Sequence, residues 1–194
     1  MRPVQEAMKF EVEQKFRVSD FEALEARLND MGTEVSPLQC ELDLYFAHPG
    51  RDFARTDEAL RIRRKGSAAS ITYKGPKLDK TTKTRREIDL ELPSQGSADD
   101  WIALLEALGF TPVGEVRKSR HKAFIPWQGC RIEGSLDEVD RLGTFAELEL
   151  VVEAEEVEAA KACIQSLAES LGLSGSERRS YLELLLESEH SPNP

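Results

Sequence analysis

The sequence predicts an α+β protein in which a closed or nearly closed barrel of strands turns its charged faces inward beneath a cover of helices. Three observations carry this. Nearly every strand candidate alternates apolar with charged residues. Successive side chains of a strand point to opposite faces, so each such strand has one apolar and one ionic face. The helix candidates carry clear apolar stripes, which need a surface to cover. Charged faces that line a central channel leave the apolar faces outside, where the helices meet them. This inverts the ordinary small barrel, whose middle is filled with apolar side chains.

The first strand spans residues 10–18. Phe10, Val12, Phe16 and Val18 share one face; Glu11, Glu13, Lys15 and Arg17 share the other. Taken alone, such a run is usually a solvated face. At a rise of about 3.3 Å per residue, Glu11 and Glu13 lie about 7 Å apart, a spacing that suits a shared hard divalent cation. Ser19 and Glu22 then have capping-box spacing. Phe21, Leu24, Leu28 and Met31 recur at helical spacing, and Gly32 is a natural stop. Leu42, Leu44 and Phe46 alternate with Asp43 and Tyr45 in the next strand, and 48–53 reads as a loop.

Residues 59–66 and 70–76 read as a hairpin, with Arg61, Arg63, Thr72 and Lys74 on its polar side. The basic, threonine-rich stretch 77–84 is expected to be a mobile loop. In 85–92, Arg85, Glu87, Asp89 and Glu91 oppose Ile88, Leu90 and Leu92. A helix capped near Ser97 carries the stripe Trp101, Leu104, Leu105 and Leu108 and ends at Gly109. In 115–122, Lys118, Arg120 and Lys122 share a face. After a turn at 127–129, Cys130, Ile132 and Gly134 alternate with Arg131, Glu133 and Ser135 in a strand running on to Asp137. Glu147 and Glu149 oppose Leu148 and Leu150 in the last strand. A helix follows over about 155–171, and a short final helix starts near Ser176. Residues 1–8 read as a flexible lead and 188–194 as a disordered tail.

Composition bounds the function. The 194 residues fit one domain. A net charge of −10 weighs against duplex DNA as partner. Cys40, Cys130 and Cys163 read as reduced, buried thiols of a cytoplasmic protein rather than a disulfide or zinc framework. No apolar run is long enough to cross a membrane. His48, His121 and His190 do not cluster, so a metal would be held by carboxylates. His121 is better read as a packing residue than as a general base.

A channel built this way carries both signs. Glu11, Glu13, Glu87, Asp89, Asp137, Glu147 and Glu149 supply oxygens; Lys15, Arg61, Arg63, Lys74, Arg85, Lys118 and Arg120 supply positive charge. Ions buried without partners are strongly destabilising. A polyanion accompanied by Mg2+ or Mn2+ satisfies both sets, because arginines grip phosphate oxygens bidentately while carboxylates hold the metal.

Glu11-x-Glu13-x-Lys15 resembles the signature of the CYTH superfamily, the triphosphate tunnel metalloenzymes. Asp43-x-Tyr45-Phe46, Leu60-Arg61-Ile62-Arg63, Thr72-x-Lys74-Gly75-Pro76, Arg85-x-Glu87, Lys118-x-Arg120, the run from Leu136-Asp137 to Glu147-x-Glu149, and Ser180-Tyr181-x-x-Leu184-Leu185 stand in the family's order. The resemblance covers about residues 9–187, read as a single domain, and is nearest the class IV adenylyl cyclase (CyaB-like) branch, with thiamine triphosphatase and tripolyphosphatase as relatives. It implies an eight-stranded antiparallel tunnel. By the same resemblance, Glu11, Glu13, Asp137, Glu147 and Glu149 bind metal, and Lys15, Arg61, Arg63, Lys74, Arg85, Lys118 and Arg120 bind phosphates. The catalytic set it implies is Glu11, Glu13, Lys15, Lys74 and Arg120.

The activity implied is cyclisation of ATP to cyclic AMP and pyrophosphate. The alternative is hydrolysis of thiamine triphosphate, a nucleotide or tripolyphosphate; a non-catalytic triphosphate-binding module is a third reading, against which the full set of acids and bases argues. Dimers occur in the family, so a homodimer is compatible with it. Tyr181 and the Arg178-Arg179 pair are expected to close one tunnel end. One departure from the family pattern, Asp140-Arg141 where an acidic residue and Gly are common, is expected to place a bulky cation at the tunnel mouth.

Overall fold

In the computed structural model, which describes residues 9–77, 84–93 and 98–190, eight antiparallel strands close into a barrel. The strands are β1 (Lys9–Arg17), β2 (Gln39–Ala47), β3 (Ala59–Lys65), β4 (Ala68–Lys74), β5 (Arg85–Glu91), β6 (Thr111–Trp127), β7 (Cys130–Val139) and β8 (Gly143–Glu153). Their order around the barrel is β1-β5-β4-β3-β2-β6-β7-β8. β6 is long because it serves two neighbours: β2 along its first part and β7 along its second. Gln128 and Gly129 both have positive φ and make the tight β6–β7 turn that this hand of twist favours. β8 pairs with β1 along the whole of β1, and among the described residues Phe10 and Glu11 of β1 pair with Arg86 and Arg85 of β5.

The helices cover the outside. Val12, Phe16, Ile125, Ile132, Leu136 and Leu148 point outward and pack against α1 (Phe21–Asp30) and α4 (Val157–Ser170). α4 buries Ala160, Cys163, Ile164, Leu167 and Ala168 at helical spacing. Each large aliphatic side chain sealed here contributes about 1.5–3 kcal/mol. Beyond α4, Gly172 has φ +68, and the Arg27 guanidinium, bonded to the Leu171 carbonyl, fills the space a Cβ would need. On the opposite wall, Phe46, Leu60 and Ile62 meet α2 (Phe53–Thr56) and α3 (Ala98–Ala107).

The last helix, α5 (Tyr181–His190), is placed differently. Its Tyr181, Leu184 and Leu185 pack among Tyr45, Val116, Val139 and Phe145. Those four belong to the faces that carry the tunnel's charges, so at this end part of the interior turns apolar and α5 packs against it.

Several local expectations are corrected. Asp20, not Ser19, caps α1, accepting from the Ala23 amide. Residues 53–56 of the expected loop form α2, capped by Asp52. In α3 the packed face is Trp101, Ile102 and Leu105, while Leu104 and Leu108 are exposed. The final helix begins at Tyr181 because Ser180 and Glu183 exchange capping bonds there, whereas Ser176 pairs with Phe16 as an isolated bridge. Helix continues to His190, into the expected tail. Cys40 is exposed, Cys130 partly buried and Cys163 buried; all three are free. The Ser97 cap, most of the 77–84 loop and the 1–8 lead fall outside the described residues. Among those described, no helix is long and apolar enough to cross a membrane.

Candidate active site: a charged tunnel capped by the last helix

A cavity of about 800 Å³ runs through the barrel, within the usual range for small-molecule sites. Of the expected site residues, Glu11, Glu13, Lys15, Arg61, Arg63, Lys74, Arg85, Lys118, Arg120, Glu147 and Glu149 line it. Asp137, with no exposed surface, sits behind them.

Alternation brings these side chains into three paired networks. In the first, Asp43 accepts a fork from Arg63 at 2.6 and 2.7 Å and a bond from Arg61 at 3.1 Å. Glu41 stands 3.1 Å from Arg63 and 3.3 Å from Lys118. In the second, Arg120 grips Asp137 at 2.6 and 2.5 Å and reaches Glu147 at 2.5 Å. The Tyr181 hydroxyl donates to Asp137 at 2.8 Å, tying α5 to this network. In the third, Lys74 lies 3.2 Å from Glu11 and 2.5 Å from Glu87. Lys15 donates to the Arg179 carbonyl at 2.5 Å and lies 4.0 Å above the Tyr181 ring, so β1 also holds the capping segment.

Electrostatics follow from burial. Burial opposes charge on Asp43, yet Arg61 and Arg63 hold its carboxyl well below the usual carboxylate range. Burial, with Arg120 and Arg63 alongside, pushes Lys118 down to about 8. The Nε atoms of Arg61 and Arg85 are buried without hydrogen-bond partners. Orphaned cationic donors on a cavity wall are what an anionic oxygen satisfies.

The carboxylates divide into two groups. Asp137 and Glu147 are engaged by Arg120. Glu13 stands opposite Glu149 across the β1–β8 ladder, with Glu11 two residues along. Burial, then the charges of Glu11 and Glu13, pushes Glu149 up to about 8 despite Lys74 nearby. Such a group stays protonated until a cation joins it, so Glu11, Glu13 and Glu149 fit a hard divalent ion. Among the described residues there is no pre-assembled cluster of three metal-ligating side chains.

A pH dependence follows. The folded state holds the Glu149 proton more tightly than the unfolded chain. Its contribution to stability is complete below the ordinary carboxylate range and is lost as pH rises through about 8. Glu41 and Asp43, both depressed, act only at lower pH. In chelator, the melting temperature is therefore expected to fall between pH 5 and pH 8, and Mg2+ is expected to reverse the fall while releasing protons. Thermal melts with and without Mg2+ read this; a profile flat in pH would refute the assignment.

The CYTH domain is matched over residues 9–181. This chain belongs to the CYTH family. The CYTH chain is 34% identical over 177 residues to a Methanocaldococcus jannaschii protein provisionally named adenylate cyclase, covering 90% of this chain and 97% of that one. It is 30% identical over 187 residues to adenylate cyclase CyaB of Aeromonas hydrophila, covering 93% and 91%. The solved structure of the PH1819 protein from Pyrococcus horikoshii superposes with a TM-score of 0.81 at 40% identity, over 92% of this chain and 99% of that one.

One expectation about individual residues changes and another agrees with the structure. Arg141 is exposed and pairs with Glu189 of α5 at 2.7 Å, outside the cavity lining, so the departure at Asp140-Arg141 does not place a cation in the tunnel. His121, read as a packing residue, donates from Nδ1 to the Ser36 carbonyl at 2.7 Å, and it is not part of the cavity lining. Sequence reasoning missed Glu41, Lys122 and Glu133 as wall residues and gave Asp43 no role. The signal was present, since Glu41 continues the Asp43–Tyr45 face of β2 at period two.

Proposed function

We propose that this CYTH protein is a divalent-metal-dependent enzyme acting on an organic triphosphate, cyclising ATP to cyclic AMP and pyrophosphate. The observation that carries the reading is the meeting of an ionic tunnel with an apolar mouth. Phe53, Ala59, Val113, Leu182 and Leu186 border the cavity beside α5, interleaved with Arg51, Glu58 and Glu183, a surface suited to an organic group with polar edges.

In this reading Arg61, Arg63, Lys74, Lys118, Arg120 and Lys15 hold phosphate oxygens. Asp43 and Asp137 act from behind, fixing the guanidinium planes before substrate arrives, so little reorganisation is needed during reaction. Glu11, Glu13 and Glu149 would hold the metal, with Glu147 and Asp137 one step further along the wall. The bound ion would supply Lewis-acid charge neutralisation at the phosphates. The ribose 3′ oxygen attacks the α-phosphorus and its proton passes to solvent; the bond from the α-phosphorus to the α–β bridging oxygen breaks, and pyrophosphate carries away the electron pair. The tunnel bases meet the charge that develops there.

One observation favours hydrolysis as the second reading. The opposite end of the cavity is bordered by the part-exposed pair Lys122 and Glu133, which admits water near the terminal phosphate. A product assay decides. Purified protein is given ATP, thiamine triphosphate and tripolyphosphate in turn with Mg2+ or Mn2+. Cyclic AMP with pyrophosphate supports the cyclase; orthophosphate without cyclic nucleotide replaces it with the hydrolase; binding without product refutes both.

α5 gives a further prediction. A chain ending after residue 174 loses Tyr181 from Asp137 and uncovers Tyr45, Val116, Val139 and Phe145. It is expected to lose turnover and also several degrees of melting temperature. Unchanged turnover in the shortened chain, measured alongside its thermal melt, would sink the capping role.

A further inference from the structure

The tunnel has two ends of opposite character, and the reaction proposed above makes two products of opposite character. At the α5 end the apolar side chains of Phe53, Val113, Leu182 and Leu186 border the cavity, interleaved with Arg51, Glu58 and Glu183. At the other end the cavity is bordered by Lys9, Lys122, Glu133 and Val151. Register places these four together: Lys9 lies at the start of β1, Val151 faces Glu11 across the β1–β8 ladder, and Glu133 and Lys122 occupy the neighbouring strands β7 and β6.

β6 connects the interior to this second mouth. Lys118, Arg120 and Lys122 follow one another at period two on its inner face, so cations recur about every 7 Å along the wall. Burial grades outward along them. Lys118 and Arg120 are buried among Glu41, Asp137 and Glu147. The Lys122 side chain is 31% exposed and its partner Glu133 26%. A pair this open to water is weakly held, so Lys122 can leave Glu133 for a passing anion, whereas Arg120 cannot leave Asp137 without stranding a buried charge.

We propose that the second mouth is the exit for the inorganic polyphosphate product, with Lys122 as the outermost of the cations that hand it to solvent. This rests on the reading that an organic triphosphate lies with its organic group at the apolar mouth. An organic group seated there blocks retreat past α5, and the pyrophosphate is released on the far side, among the cations of β6. The organic product leaves by the mouth it occupied.

By microscopic reversibility, pyrophosphate re-enters by the route it leaves when the organic product is still seated, so pyrophosphate association measured in saturating cyclic AMP reports the path. Stopped-flow binding of magnesium pyrophosphate and of a non-hydrolysable ATP analogue is compared in three variants. Val151→Trp narrows the second mouth and Lys122→Glu reverses its charge. Each is expected to slow pyrophosphate association by about tenfold, within the range of electrostatic steering effects, while leaving the analogue within twofold. Val113→Trp, at the apolar mouth, is expected to do the reverse. The proposal is overturned if Val151→Trp and Lys122→Glu leave pyrophosphate association unchanged, or if either mouth's variants slow both ligands alike. A wild-type protein that forms no product from any organic triphosphate defeats the proposed function, while the pyrophosphate rates still judge the exit.

Discussion

Replacing Glu13 with alanine is expected to abolish metal-dependent turnover while the barrel still folds. Glu13 is buried, faces Glu149 across the ladder and stands beside Glu11. The loss expected is at least about 100-fold, the scale of removing one preorganised electrostatic stabiliser. Stability should move the other way. Without Glu13, one of the charges holding the Glu149 carboxyl up is gone, so the melting temperature in chelator should hold or rise. Turnover against Mg2+ concentration and thermal melts separate the two effects. Full activity in Glu13→Ala would refute the site assignment, and a collapse of the melt would show Glu13 to be structural.

Arg120→Met is expected to have the largest effect on stability. Arg120 makes a two-pronged grip on Asp137 and a bond to Glu147, and its removal leaves two carboxylates deep in the barrel with their main counter-ion gone. Breaking a buried pair from one side costs about 3–5 kcal/mol. For a chain of this size that is about 10 °C of melting temperature. Triphosphate affinity should fall with it. Arg120→Lys restores charge but not the planar fork, so its melt should lie between wild type and Arg120→Met. A melting temperature for Arg120→Met within a degree of wild type would mean that Asp137 is held by Tyr181 and Lys118 alone.

The barrel was legible in the sequence because period two exposes its own logic. A strand such as β1, with Val12 and Phe16 on one face and Glu11, Glu13 and Lys15 on the other, commits its ionic face inward once helices are available to cover the apolar one. What the pattern concealed was pairing. Nothing in the spacing of Asp43 says that Arg61 and Arg63 would claim it, since cross-strand partners depend on register. Glu41 went unread because it lies near the strand's start, and Lys122 and Glu133 because they stand beyond the motif positions. The start of α5 was displaced because Ser176 and Ser180 both suit a cap, and only Ser180 finds a glutamate three residues on that returns the bond.

The exposed strand β5, beside β1, has a mechanical consequence. Among the described residues, Phe10 pairs with Arg86 and Glu11 with Arg85 across the line between the two strands, and Ile88 and Leu90 further along β5 are exposed. The Lys74–Glu11 ion pair bridges the same line from within. β5 is mostly exposed, whereas β8 is largely covered, so amides of β5 should exchange with deuterium sooner than those of β8. A polyphosphate drawing Lys74 and Arg85 toward metal held by Glu11 would act as a strut across that line. Bound ligand would then slow exchange along β5 more than anywhere else in the barrel, making the guest part of the wall that encloses it.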